Sequence, residues 1–147
     1  MSDHHPKYDH CLYIAPVLET AQLTANVKKA AYILSKIEFD SLAFMGMSGA
    51  LSAGPVAVAT GKTMIMVRKR ETLSHSSRRV EGDAAAKFYI IIDDFMSTGE
   101  TAKAIVREIR SFSPNAVCLG LLSMRDIGKA EWEEIKRMPA SHWIEYV

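Results

Sequence analysis

A chain of 147 residues, 48% hydrophobic and 24% charged, can bury the core of one domain without disulfide or metal staples. Its formal net charge of +1 gives no global pull toward nucleic acid or membrane, and its two cysteines, Cys11 and Cys118, fit no zinc or redox spacing. The polar start "MSDHHPKYDH" lacks the apolar region of a signal peptide and no apolar run is long enough to span a bilayer, so the expectation is a cytoplasmic chain with reduced thiols and no membrane or nucleic-acid partner.

In chain order, "PVLETAQLTANVKKAAYILSKI" (16–37) spaces Val17, Ala21, Val27, Ala31 and Leu34 near the helical period, with Pro16 suited to the first turn. "DSLAFMG" reads as a short buried strand and "SGALSAGPVAVATG" as a helix of small residues ended by Gly61, with Gly54-Pro55 as its weak point. "KTMIMVRKR" is a second strand. The polar stretch "RETLSHSSRRVEGDAA" has no periodicity and reads as a long loop, a length that compact domains usually reserve for function or leave disordered. "KFYIIIDD" is a third strand, "GETAKAIVREIRSF" a helix and "NAVCLGLLSM" a fourth strand. "GKAEWEEIKRM" is a short amphipathic helix carrying Trp132, Ile135 and Met138. Strands that alternate with helices and are apolar throughout predict an α/β fold, a three-layer, mostly parallel sheet covered by helices on both faces.

Such sheets bind ligands beyond the carboxyl ends of their strands. Three unusual segments fall there: "GMSGA", "RKRETLSHSSRR" and "DDFMSTGET". In "YIIIDDFMSTGETA" (89–102) a buried strand runs into Asp93-Asp94, then a hydroxyl-rich turn, then a helix. Two readings fit the turn: a phosphate site at a helix N-terminus, or a capping box with Ser97 as N-cap and Glu100 three residues on. The paired carboxylates favour the first. They repel each other and lose hydration at a strand end unless a sugar diol, a Mg²⁺ ion or a developing positive charge meets them. "GPVAVATGKT" ends like a nucleotide-binding P-loop, but residue 56 is Val where that motif needs Gly, and a strand follows where a helix should.

The stretch Tyr89–Thr101 resembles the phosphoribosyl pyrophosphate (PRPP) binding motif of the type I phosphoribosyltransferases: hydrophobic residues, two acidic residues, a short variable run, then Thr-Gly-x-Thr. The resemblance implies that Asp93 and Asp94 hold the ribose hydroxyls and stabilise an oxocarbenium-like transition state. It also implies that Ser97, Thr98, Gly99, Glu100 and Thr101 wrap the 5′-phosphate, Glu100 standing where many members have glycine. Upstream, "FMGMSGAL" takes the place of the family's pyrophosphate loop, with Met47-Ser48-Gly49 as the loop and Ser48 in place of a frequent basic residue. "VRKRETLSHSSRRVEG" resembles the basic catalytic loop of the orotate and adenine enzymes. Between Arg68 and Arg79 it sets Arg68, Lys69, Arg70, Arg78 and Arg79 against Glu71 alone. There the resemblance implies PRPP contacts from Arg68 and Lys69 and a catalytic His75, while the catalytic loop lysine has no match.

The likeness covers roughly residues 38–125 of a single 1–147 domain, leaving a reduced "hood" for base recognition, small or completed by a partner subunit. It implies an Mg²⁺-dependent transferase that joins a purine or pyrimidine base to the ribose 5-phosphate of PRPP and releases pyrophosphate. The Mg²⁺ would be carried mainly by PRPP, with Asp93 and Asp94 reaching it through water, and the assembly would be a homodimer. Two other readings stay open: a non-catalytic PRPP- or nucleotide-binding regulator on the same fold, and a structural protein that keeps only the scaffold, which the intact Asp93-Asp94 disfavours. Trp132 and Trp143 are expected to pack on the core rather than stack on a base.

Overall fold

The computed structural model describes residues 15–69, 78–94 and 98–147. Among these residues six α-helices, α1 (Ala15–Leu18), α2 (Thr20–Leu34), α3 (Gly46–Thr60), α4 (Glu100–Phe112), α5 (Met124–Lys129) and α6 (Trp132–Arg137), surround one sheet. Its strands are β1 (Ser41–Met45), β2 (Thr63–Val67), β3 (Val80–Gly82), β4 (Phe88–Asp93), β5 (Val117–Ser123) and β6 (Ile144–Glu145), in the order β3-β2-β1-β4-β5-β6. The four central strands are parallel, and β3 and β6 close the two edges antiparallel.

Strand alternation divides the interior into two cores. Leu42, Phe44, Ile90 and Ile92 face α2, α3, α5 and α6, while Ala43, Tyr89 and Ile91 face α4 through Ala102, Ile105 and Ile109. All of these central-strand residues are buried, as a sheet covered on both sides requires. This is the three-layer α/β architecture expected from the sequence.

The four strands expected from apolar runs are present, and α3 continues through Gly54-Pro55. Gly54 has no Cβ to clash with the proline ring, so it keeps a helical conformation where another residue would be pushed out of it. Four details depart from expectation. The first helix is broken at Glu19 into α1 and α2. Its buried face is Asn26, Lys29, Ala30, Ile33 and Leu34, whereas Ala21 of the expected stripe is exposed. The stretch expected as one long loop holds β3, which pairs with β2. The chain after β5 adds α5 and β6, and Trp132 and Trp143 pack against the α2–α3 core, as expected. Among the described residues no helix is long and apolar enough to cross a membrane.

The buried polar residues of α2 are explained by what they meet. Lys29 Nζ donates to the carbonyls of Ala130 at 2.6 Å and Gly128 at 3.2 Å, closing the C-terminal end of α5. Asn26 packs on Gly128, where an added Cβ would lie 2.9 Å from the Asn26 amide nitrogen. Lys29→Met would keep the aliphatic stem but strand both carbonyls. Such charge-assisted bonds contribute about 1.5–3 kcal/mol each, so a loss of about 2 kcal/mol in urea unfolding is expected; wild-type stability in that variant would contradict the assignment.

Candidate functional site

The parallel strands deliver their ends to one place. β4 supplies Asp93 and Asp94, and the turn into α4 supplies Thr98, Gly99, Glu100, Thr101 and Ala102. The first turn of α3 supplies Ser48, and Lys69 follows β2 by two residues. With Met45 and Leu121 these residues line a cavity of about 200 Å³.

Asp93 continues the alternation of β4 toward α4 and is only 9% exposed. Its Oδ1 accepts the Asp94 backbone N–H at 2.9 Å, and the Asp94 carbonyl accepts the Arg125 N–H at 2.8 Å. The dipeptide is thus held from both sides. Loss of hydration, followed by the carboxyl–carboxyl interaction with Asp94, pushes the Asp93 carboxyl up to about 7; the Asp94 N–H and the Lys69 ammonium pull the other way. This wall of the cavity stores an unfavourable negative charge that a cation or a set of hydroxyl donors would relieve.

Another part of the lining favours anions. Gly99 is the N-cap of α4 with φ 79°, a left-handed conformation that a side chain would strain. Glu100 is the first helical residue, so the N–H groups of this turn lack intrahelical acceptors and stand beside the cavity. Thr98 Oγ1 accepts the Glu100 N–H at 3.4 Å. The capping-box alternative is therefore corrected: Glu100 begins the helix, and its carboxylate pairs with Lys103 at 3.6 Å. Lys69 reaches the cavity by lying across Gly46 (φ +77°), where a Cβ would fall 2.9 Å from its Cε and 3.3 Å from its Nζ.

Eight of the residues singled out in the sequence thus meet at one cavity: Ser48, Lys69, Asp93, Asp94, Thr98, Gly99, Glu100 and Thr101. Three others do not line it. The Met47-Ser48-Gly49 segment, expected as a loop, is the first turn of α3; Met47 is 77% exposed, and Gly49 is packed against Phe44. Arg68 pairs with Glu81 at 3.3 Å and donates its N–H to the Arg79 carbonyl at 2.7 Å, bracing the β2–β3 hairpin. His75 and Ser97 lie outside the described residues. Sequence reasoning missed Met45 and Leu121, which reach the cavity as strand residues and differ in no visible way from their apolar neighbours. It also missed an adjoining recess lined by Lys69, Arg79, Thr101 and Arg107, where Arg79 pairs with Glu108 at 3.2 Å.

No protein-family model matches the chain. An orotate phosphoribosyltransferase from Staphylothermus marinus is 31% identical over 78 residues, 53% of this chain and 38% of that one. The transcriptional regulator GfcR from Methanocaldococcus jannaschii is 26% identical over 110 residues, 70% of this chain and 50% of that one. The chain therefore spans half the length or less of these two relatives. Among solved structures, a phosphoribosyltransferase from Corynebacterium diphtheriae superposes with a TM-score of 0.61 at 18% identity, covering 73% of this chain and 67% of that one. The fold is that of the type I phosphoribosyltransferases.

The Asp93 environment predicts a pH dependence. With its folded value raised, the folded protein holds a proton that the unfolded chain releases, so this group's contribution is full below about pH 4 and is lost as pH rises through about 7. In chelator and without ligand, Asp93→Asn should gain about 1–2 kcal/mol over wild type at pH 8 and almost nothing at pH 4. Chemical denaturation at the two pH values checks this; a pH-independent difference would refute the cause given.

Proposed function

We propose that this chain binds PRPP and transfers its ribose 5-phosphate to a nitrogen of a purine or pyrimidine base. One observation carries the reading: a carboxylate pair with Asp93 buried, the N-terminal turn of a helix and a lysine line the same cavity. The 5′-phosphate would accept the N–H groups and hydroxyls of residues 98–101. The ribose hydroxyls would donate to Asp93 and Asp94, and the pyrophosphate would lie toward Lys69 and the N-terminal end of α3. A base nitrogen then forms its bond to C1 as the C1–oxygen bond breaks, the electron pair leaving with pyrophosphate and the displaced base proton passing to solvent. The carboxylates oppose the positive charge that develops on the ribose.

Among the described residues no three His, Cys, Asp or Glu side chains gather to cage a metal. Two hard carboxylates on one wall suit instead an Mg²⁺ bound through pyrophosphate, with Asp93 and Asp94 reaching it through water. When bound, the ion would neutralise charge on the departing pyrophosphate. Among the described residues Trp132 and Trp143 pack on the core and so offer no stacking face for a base. We take the assembly to be a homodimer, with base recognition shared between its copies.

A regulator that binds PRPP without turning it over is the second reading. It is favoured by the neutral Ser48 and by a likeness to GfcR that extends over 70% of the chain. Calorimetry should show PRPP binding that depends on Mg²⁺, and absence of binding would remove both readings. A pyrophosphate-release assay over a panel of bases then separates them, since only an enzyme releases pyrophosphate faster with one base. In that assay Asp94→Asn should lower turnover by about 10²-fold or more with the fold intact. Lys69→Ala should weaken PRPP binding by about tenfold. A fully active Asp94→Asn would remove the mechanism.

A further inference from the structure

Two serine hydroxyls of the sheet are buried with no hydrogen-bond partner among the described residues: Ser41 Oγ, 0% exposed, and Ser123 Oγ, 4% exposed. They occupy opposite ends of the molecule. Ser41 begins β1, far from the cavity, and pairs in register with Thr63 and Tyr89. Ser123 ends β5 and pairs in register with Asp93 itself.

The register fixes where the Ser123 hydroxyl points. Adjacent strands lie about 4.8 Å apart, and partners in a parallel ladder send their side chains to the same face. Ile91 and Leu121, two residues before Asp93 and Ser123, both face α4. Asp93 and Ser123 therefore stand side by side on that face, directly beyond Leu121, which lines the cavity with Asp93. A hydroxyl removed from water without a partner lowers stability, so its burial beside a cavity carboxylate calls for a use.

We propose that Ser123 is a positioning residue of the site: as the ribose hydroxyls engage one oxygen of the Asp93 carboxylate, Ser123 Oγ–H turns to donate to that carboxylate and fixes its rotamer. The inference rests on the PRPP reading above. The hydroxyl hydrogen is free to rotate, and a donor left open in the ligand-free protein is available when the carboxylate must be held ionised and aligned.

The test compares Ser123→Ala, Ser123→Thr and the control Ser41→Ala, by melting without ligand and by calorimetry with PRPP and Mg²⁺. Removing an unpartnered hydroxyl should leave the ligand-free melting temperature of both alanine variants unchanged or raised. Ser123→Ala should weaken PRPP binding by about fivefold or more, Ser41→Ala should bind like wild type, and Ser123→Thr should restore binding relative to Ser123→Ala. Wild-type affinity in Ser123→Ala overturns the proposal. So does a fall in its ligand-free melting temperature, which would mark a structural hydrogen bond. Wild-type protein that binds no PRPP removes the proposed function first and this inference with it, and that outcome is distinct from a selective failure at Ser123.

Discussion

The carboxyl end of β4 is where the demands on this fold meet. Asp93 must sit at the end of a strand buried on both faces, flanked by β1 and β5, and its charge has lost most of its water. A hydrophobic residue there would give a quieter sheet. The chain instead keeps an acidic pair whose backbone is held by its own side chain and by the first turn of α5. Around the pair stand a lysine laid over a glycine, the N-terminal turn of a helix, and the apolar side chains of Met45 and Leu121, all lining one cavity. The site is polarised, with carboxylates that repel anions and a helix N-terminus and lysine that attract them lining one cavity. A ligand matched to it must carry hydroxyls or positive charge at one end and an anion at the other.

Much of this was legible in the residues. β1, β2, β4 and β5 announce themselves because a strand covered on both faces is apolar throughout, and α4 because one face alone is apolar. The carboxylate pair and the turn after it are contiguous in sequence, so local reading could join them. What escaped is short or depends on distant partners. β3 is three residues with one buried apolar side chain, and β6 is two; both exist because a neighbouring strand offers its edge. The buried face of α2 differs from the apolar stripe because Lys29 and Asn26, polar residues that ordinarily face solvent, meet Gly128 and Ala130. Lys69 was visible as a charge in a basic run, but nothing local says that it, and not Arg68, reaches the cavity.

The same distinction separates the two ends of the proposed ligand. In the proposed reading the phosphate and ribose ends would meet elements of the sheet and the helix that leaves it, and these are fixed by packing. Among the described residues the base end has no such frame: the chain beyond β5 folds back onto the α2–α3 core through Ile135, Ile144 and the two tryptophans. If the proposal holds, such a scaffold would separate binding of the sugar phosphate, carried by the sheet, from choice of acceptor, carried by segments outside it.

The hairpin base at Arg68 and Arg79 has a consequence for how such a protein can change. The N–H of Arg68 meets the carbonyl of Arg79, and β2 and β3 pair directly beyond, so the two ends of the intervening stretch are tied to each other independently of what lies between. The entropy of closing a loop rises slowly with its length, by about 0.6 kcal/mol per doubling. Insertions and deletions between those two residues therefore cost the sheet little. The stretch between Arg68 and Arg79 can therefore be resized almost without penalty to the sheet, so variation in sequence can accumulate there while the wall built by Asp93 and Asp94 stays unchanged.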